Sequence, residues 1–121
     1  VLSKTPGSTV SNLSSTRALR DVTEKHGCSY ESSAVGEVNV VEMMKKNNAV
    51  IGGEGNGGVI YPESHYGRDS LVGIAIFLNL LAEKNISILD LKQEYPLILC
   101  YKIANLGTIQ LALSPEINNT T

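Results

Sequence analysis

Tryptophan is absent from this chain, and phenylalanine occurs once. A surface that stacks nucleic-acid bases needs aromatic side chains interleaved with basic ones. Here the five tyrosines are scattered, the net charge is −2 and the pI is about 5.6. That balance excludes nucleic acid as an expected partner. Cysteine is scarce as well. Cys28 and Cys100 lie far apart, in no CxxC motif and with no paired histidines. They read as free, buried thiols in a reducing compartment. Long apolar runs are missing too. The most apolar stretch, Leu71 to Ala82, contains Gly73 and Asn79 and is only twelve residues long. A bilayer takes roughly 20 residues to span, so no membrane partner is expected. The opening VLSKTPGSTV does not show the basic-then-apolar order of a signal peptide. The expectation is a cytoplasmic protein.

What is present suffices for one domain. The chain has 121 residues, 42% of them hydrophobic, which is enough to build a core. Pro6 and Gly7 mark residues 1–7 as a linker. A strand is expected at 9–13, then a helix capped by Ser14 or Ser15 and stopped by Gly27. CSYESS at 28–33 reads as a strand. Gly36-Glu37 opens a second helix with Val38, Val41 and Met44 at helical spacing and Val40 and Met43 beside them. AVIG at 49–52 and GVIY at 58–61 read as short strands, the second ended by Pro62.

A third helix is expected from about Arg68 to Lys84. It is apolar nearly all round, which predicts burial on more than one side. Ser87 caps a short fourth helix, 96–104 reads as a last strand, and 105–121 reads as a C-terminal linker. The domain proper spans 8–104. Alternating strands and helices imply an α/β fold. The form expected is a three-layer domain with a small mixed, mostly parallel four-stranded sheet packed by helices.

The unusual feature is IGGEGNGGVI, residues 51–60, with five glycines between positions 52 and 58 enclosing Glu54 and Asn56. Glycine loses more backbone freedom on folding than any other residue, so a cluster requires a reason. A phosphate cradle fits poorly. The stretch matches GxGxxG formally, but VIYP follows where a helix should open, and an acid in the loop would repel phosphate. No Gly-Lys-Ser/Thr is present for a Walker loop. Two readings stay open: a structural strand-to-strand turn, or a loop that holds a carboxylate and an amide toward a vicinal diol. Glu63, Glu54 and Asp69 follow no metal-ligand spacing.

VGEVNV at 35–40, AVIGGEGNGGVI at 49–60 and HYGRDSL at 65–71 together resemble the third domain of the α-D-phosphohexomutases. That superfamily includes phosphoglucomutase, phosphomannomutase and phosphoglucosamine mutase. The resemblance runs from about Thr5 to Ala104. It implies a four-domain enzyme that moves a phosphoryl group between the 1- and 6-oxygens of a hexose through a phosphoserine and a bisphosphate intermediate. The implied Mg²⁺ and the serine belong to other domains.

By resemblance, Glu54 and Asn56 grip the sugar's 3- and 4-hydroxyls, and Gly55 and Gly57 let it approach. Glu37, His65 and Arg68 are secondary substrate-binding candidates, and Asp69 is a candidate cap for the third helix. Asn56 stands where many members have Ser, and Gly58 where many have His, which leaves the hexose open. The chain lacks the family's Thr-x-Ser-His-Asn, DGDxDR and RxSGTEP motifs. The expectation is therefore a domain without catalytic or metal-binding residues of its own, inactive alone. Its expected partners are a phosphohexose and three other domains of the same chain. The alternative is a stand-alone carbohydrate-binding or interaction module with a structural glycine loop.

Overall fold

A computed structural model describes residues 1–95. The strand expected at 96–104 and the linker at 105–121 lie outside the described residues. The element order is β1 (Thr9–Asn12), α1 (Ala18–Lys25), β2 (Tyr30–Ser33), α2 (Glu37–Lys46), β3 (Ile51–Glu54), β4 (Gly58–Tyr61), β5 (His65–Arg68), α3 (Ser70–Lys84) and α4 (Ile88–Gln93). The strands form one mixed sheet in the order β2-β1-β3-β4-β5. β1 pairs in parallel with β2 and β3, while β3–β4 and β4–β5 are antiparallel. The α/β class and mixed sheet are as expected. The sheet has five strands rather than four, and its parallel and antiparallel pairings are equal in number.

Three layers follow from the connections. The chain leaves β1 in one direction along the sheet to reach β2, then crosses back past β1 to β3. Right-handed crossovers in opposite directions place their helices on opposite faces. Side chains alternate across a strand, and the register sorts them. Val10, Gly52 and Ile60 are aligned across three strands and share one face. On that face α2 packs, and Val10, Val40, Met44, Ala49 and Ile60 form the buried core. On the other face, Thr9 Oγ1 meets Thr23 Oγ1 of α1 at 2.7 Å. Val59 lies against Gly73 of α3 on the same side.

The expected helix stripes shift by a residue or two. In α2 the inward pair is Val40 and Met44, with Val41 and Met43 packed beside them, while Val38 is largely exposed. α1 begins at Ala18, and its N-cap Arg17 makes no side-chain capping bond. Ser14 and Ser15, the expected caps, turn their hydroxyls to Asn12 Oδ1 instead. Gly27, at φ +69°, ends the helix as expected.

α3 starts at Ser70, two residues later than expected. Asp69 caps it by accepting from the Leu71 and Val72 N–H groups. None of its residues is buried. Leu71, Ile74 and Leu78 are open on its outer side, so the double-sided burial read from its composition does not occur among the described residues. Ser87 and Asp90 form a reciprocal capping box at α4. In the segment read as a tether, Leu2 is buried and Lys4 pairs with Glu83 of α3.

The glycine cluster is mostly strand. β3 runs through Gly52 and Gly53 to Glu54, which pairs across from Gly58, so the turn shrinks to residues 55–57. A Cβ on Gly52 would sit 2.5 Å from Met44 Sδ. One on Gly53 would sit 2.2 Å from the Gly58 carbonyl oxygen. Gly57 has φ +94°, a conformation that side chains rarely adopt.

Candidate functional site at the carboxyl ends of the strands

In an open α/β sheet the ligand crevice lies outside the carboxyl ends of the strands, where successive connections diverge. Here that point falls between β1 and β3. β1 ends at Asn12 and β3 ends at Glu54. The β2–α2 loop brings Gly36 and Glu37 to the same edge, and β5, running parallel to β3, ends there at Arg68. Four segments that are distant in sequence thus converge.

Glu54 is their common partner. Its Oε1 accepts from Asn12 Nδ2 at 2.9 Å and from the Gly36 N–H at 3.2 Å. Its Oε2 accepts from Arg68 Nη1 at 3.2 Å. The side chain is only 6% exposed. A carboxylate offers about four acceptor directions, so the three donors among the described residues leave one open, on Oε2. Arg68 also holds Glu37, donating from its backbone N–H to Oε1 and from Nε to Oε2, both at 3.1 Å. Those bonds, the backbone one first, hold the Glu37 carboxyl below the usual carboxylate range. One guanidinium therefore joins two acids that would otherwise repel each other.

The turn beside Glu54 is Gly55-Asn56-Gly57, all exposed. The Gly57 N–H donates to the Glu54 carbonyl and the Gly58 N–H donates to Asn56 Oδ1. Asn56, an exposed residue, thus spends its carbonyl oxygen on the turn. Gly58 makes room for Arg68: a Cβ there would lie 2.6 Å from Arg68 Cδ. A groove of about 660 Å³ opens on the α1 face of the sheet, lined among others by Ser14, Ser15, Leu19, Ile51, Gly55 and Val59.

Of the residues singled out from sequence, Glu54, Glu37 and Arg68 are in direct contact. Gly55, Asn56 and Gly57 form the adjoining turn. His65 opens β5 and turns both ring nitrogens to its own segment. Nδ1 accepts from the Gly67 N–H at 2.9 Å, and Nε2 donates to Asp69 Oδ2 at 3.0 Å. Asp69 is held below the usual carboxylate range, first by the Val72 N–H and then by His65. Sequence reasoning did not find Asn12 or the Gly36 N–H. The local signal is an Asn-Leu-Ser-Ser run, which by pattern is a strand end followed by a helix cap.

Three comparisons bear on identity. Residues 2–97 match the family model for phosphoglucomutase/phosphomannomutase, alpha/beta/alpha domain III. A phosphoglucomutase/phosphomannomutase of Thermococcus kodakarensis is 31% identical over 90 residues, covering 74% of this chain and 20% of that protein. A phosphoglucosamine/phosphogalactosamine mutase of Sulfurisphaera tokodaii is 32% identical over 87 residues, covering 72% and 19%. The crystal structure of a phosphoglucomutase/phosphomannomutase family protein from Burkholderia thailandensis superimposes with a TM-score of 0.59 at 27% identity, covering 68% of this chain and 18% of that one. The chain thus spans about a fifth of the length of these relatives. With a matching model over residues 2–97 and the same α/β/α layering, the chain belongs to the phosphoglucomutase/phosphomannomutase family, as its third domain.

Proposed function

We propose that this chain is the sugar-gripping domain of a longer, cytoplasmic phosphohexomutase. That enzyme interconverts hexose 1-phosphate and 6-phosphate through a phosphoserine and a hexose bisphosphate, and the domain alone is inactive. Glu54 and Asn56 hold the sugar's 3- and 4-hydroxyls, and Gly55 and Gly57 admit it. The observation that carries this reading is the placement of Glu54: a carboxylate on the rigid end of β3, at the diverging point of the sheet, held by Asn12, the Gly36 N–H and Arg68 next to the Gly55-Asn56-Gly57 turn.

The chemistry favours such a grip. A bisphosphate intermediate has to exchange its two ends between phosphoryl transfers. The 3- and 4-hydroxyls lie between those ends and can be held in either orientation. Holding them fixes the reacting oxygen against groups supplied elsewhere. Glu54 accepts from one hydroxyl, and the Asn56 Nδ2 group donates to its neighbour.

Mg²⁺, which the family reading implies, does not fit here. Among the described residues no three His, Cys, Asp or Glu side chains cluster to hold a metal ion. Glu37 and Glu54 are both taken by Arg68. The ion and the phosphoserine are assigned to other domains of the polypeptide. The open outer side of α3, with Leu71, Ile74 and Leu78, supports a reading in which further domains pack against this one.

Affinity within this domain is weak. A hydrogen bond to a charged group contributes roughly 1.5–3 kcal/mol. Two such bonds, less the cost of immobilising a ligand, leave a Kd of about a millimolar or weaker. The test is an assay of hexose 1-phosphate to 6-phosphate conversion with the intact polypeptide that carries this segment, beside its Glu54→Ala variant and the 121-residue chain alone. Turnover by the intact protein, a large loss in the variant and none in the chain alone support the reading. An intact protein inactive on glucose, mannose and glucosamine phosphates, or turnover by the chain alone, sinks it.

A further inference from the structure

We propose that Asn12 is the positioning residue of this site: it sets the orientation of Glu54, and Ser14 and Ser15 set Asn12. The proposal rests on the functional reading above only in naming what Glu54 is positioned for. Asn12 closes β1 and is 2% exposed. A carboxylate only accepts hydrogen bonds, so the amide's NH₂ faces Glu54 Oε1, 2.9 Å away. The amide oxygen then faces the hydroxyls of Ser14 and Ser15, which donate to it at 3.0 and 2.7 Å. Every polar atom of this buried side chain is thereby engaged, and the amide is held in one of its two flips.

The arrangement reaches the turn as well. The Ser15 N–H donates to the Asn12 carbonyl, and Ser15 Cα stands 3.0 Å from where a Gly55 Cβ would be. The β1–α1 loop therefore fixes both the acid and the turn that follows it. Arg68 is half exposed where it holds the other oxygen of Glu54, so it is the more easily displaced partner. Asn12 is buried and, with the Gly36 N–H, holds Oε1. Buried side chains whose rotamers are locked by a further layer of hydrogen bonds hold a site within its productive geometry.

The experiment is a double-mutant cycle in the intact polypeptide, with Asn12→Ala, Glu54→Ala and both together, assayed on the hexose phosphate it turns over. Asn12→Ala is expected to lower kcat/KM on the order of 10- to 100-fold. In the Glu54→Ala background the same change is expected to add less than about twofold. Asn12→Ser, which keeps a donor, recovers part of the loss. A role in folding alone would lower yield and Tm but multiply independently with Glu54→Ala, and that outcome overturns the proposal. Should Asn12→Ala fail to fold, the Ser14→Ala/Ser15→Ala double variant takes its place in the cycle.

A second readout needs no catalysis. In the 121-residue chain, NMR of Asn12→Ala should move the Glu54 side-chain carboxyl carbon and the Gly36 amide, and Asn12→Ser should bring both back toward wild type. If neither moves, the proposal is wrong whatever the enzyme does. If both move while the intact protein has no mutase activity, the functional reading falls and the positioning role stands.

Discussion

Arg68 donates to Glu54 across 3.2 Å, fourteen residues apart in sequence, from a guanidinium that is 45% exposed to a carboxylate that is 6% exposed. The pair is asymmetric. Solvent screens the arginine, but the acid depends on its protein donors. Removing Arg68 leaves a nearly buried charge with two donors instead of three. Arg68→Met is expected to destabilise the domain by about 1–2 kcal/mol, discounted for the exposed guanidinium. Urea unfolding checks this. Arg68→Lys should recover less than half, because an ammonium lacks the fork that spans two carboxylates. Equal midpoints for Arg68→Met and wild type would show that the pair contributes nothing.

Gly53 tests the strand reading of the glycine cluster. A side chain there meets the Gly58 carbonyl oxygen at 2.2 Å, and backbone cannot step aside as a flexible side chain can. Gly53→Ala is expected to destabilise the domain by about 1–3 kcal/mol, the range for overpacked sites. It should also broaden the amide signals of residues 54–58. An unchanged denaturation midpoint would mean that the two strands are farther apart than described.

Thr9 and Thr23 form a buried hydroxyl pair joining β1 to α1 at 2.7 Å. Thr23 also donates to the Leu19 carbonyl, so Thr9 is the donor between the two. Thr23→Val removes the acceptor and strands the Thr9 hydroxyl, at about 1–3 kcal/mol. Replacing both by Val removes the unpaired group and should recover most of that loss. The measurement is the coupling in a thermal-unfolding cycle, and simple additivity would contradict the pairing.

Alongside Glu83 and Asp90, which act in the same direction, Glu37 and Asp69 contribute to the pH dependence. Both are held below their ordinary values in the folded chain, Glu37 by Arg68 and Asp69 by the helix N–H groups and His65. As pH falls through the carboxylate range, the unfolded chain takes up these protons first. Their contribution is therefore complete above the ordinary carboxylate range of about 4. It is lost as pH falls through the lower folded values. Stability should be flat from neutral to about pH 5 and decline below about pH 4. Asp69→Asn should make that decline shallower, and curves of equal slope would remove Asp69 from the account.

Periodicity and punctuation made much of the fold legible. Gly27 stops α1, Asp69 opens α3 and Ser87 boxes α4, because caps and stops act within one helical turn. β5 was not legible. HYGR has no alternating pattern, three of its four residues are exposed, and it is a strand only because β4 pairs with it. β3 extends beyond the expected strand end at Gly52 for a related reason. Gly52 and Gly53 look like loop residues in one dimension, and only Met44 packing above one and β4 approaching the other make them strand residues.

The sequence by itself determined the α/β order and the motif that singles out Glu54. Each of these is written within a few neighbouring residues. Tertiary structure alone decided what surrounds Glu54. Its donors come from Asn12, Gly36 and Arg68, which no local pattern connects. They meet because the order β2-β1-β3, with β5 parallel to β3, brings these segments to one edge of the sheet. A nearly buried carboxylate then holds its charge only where donors from distant segments converge on it.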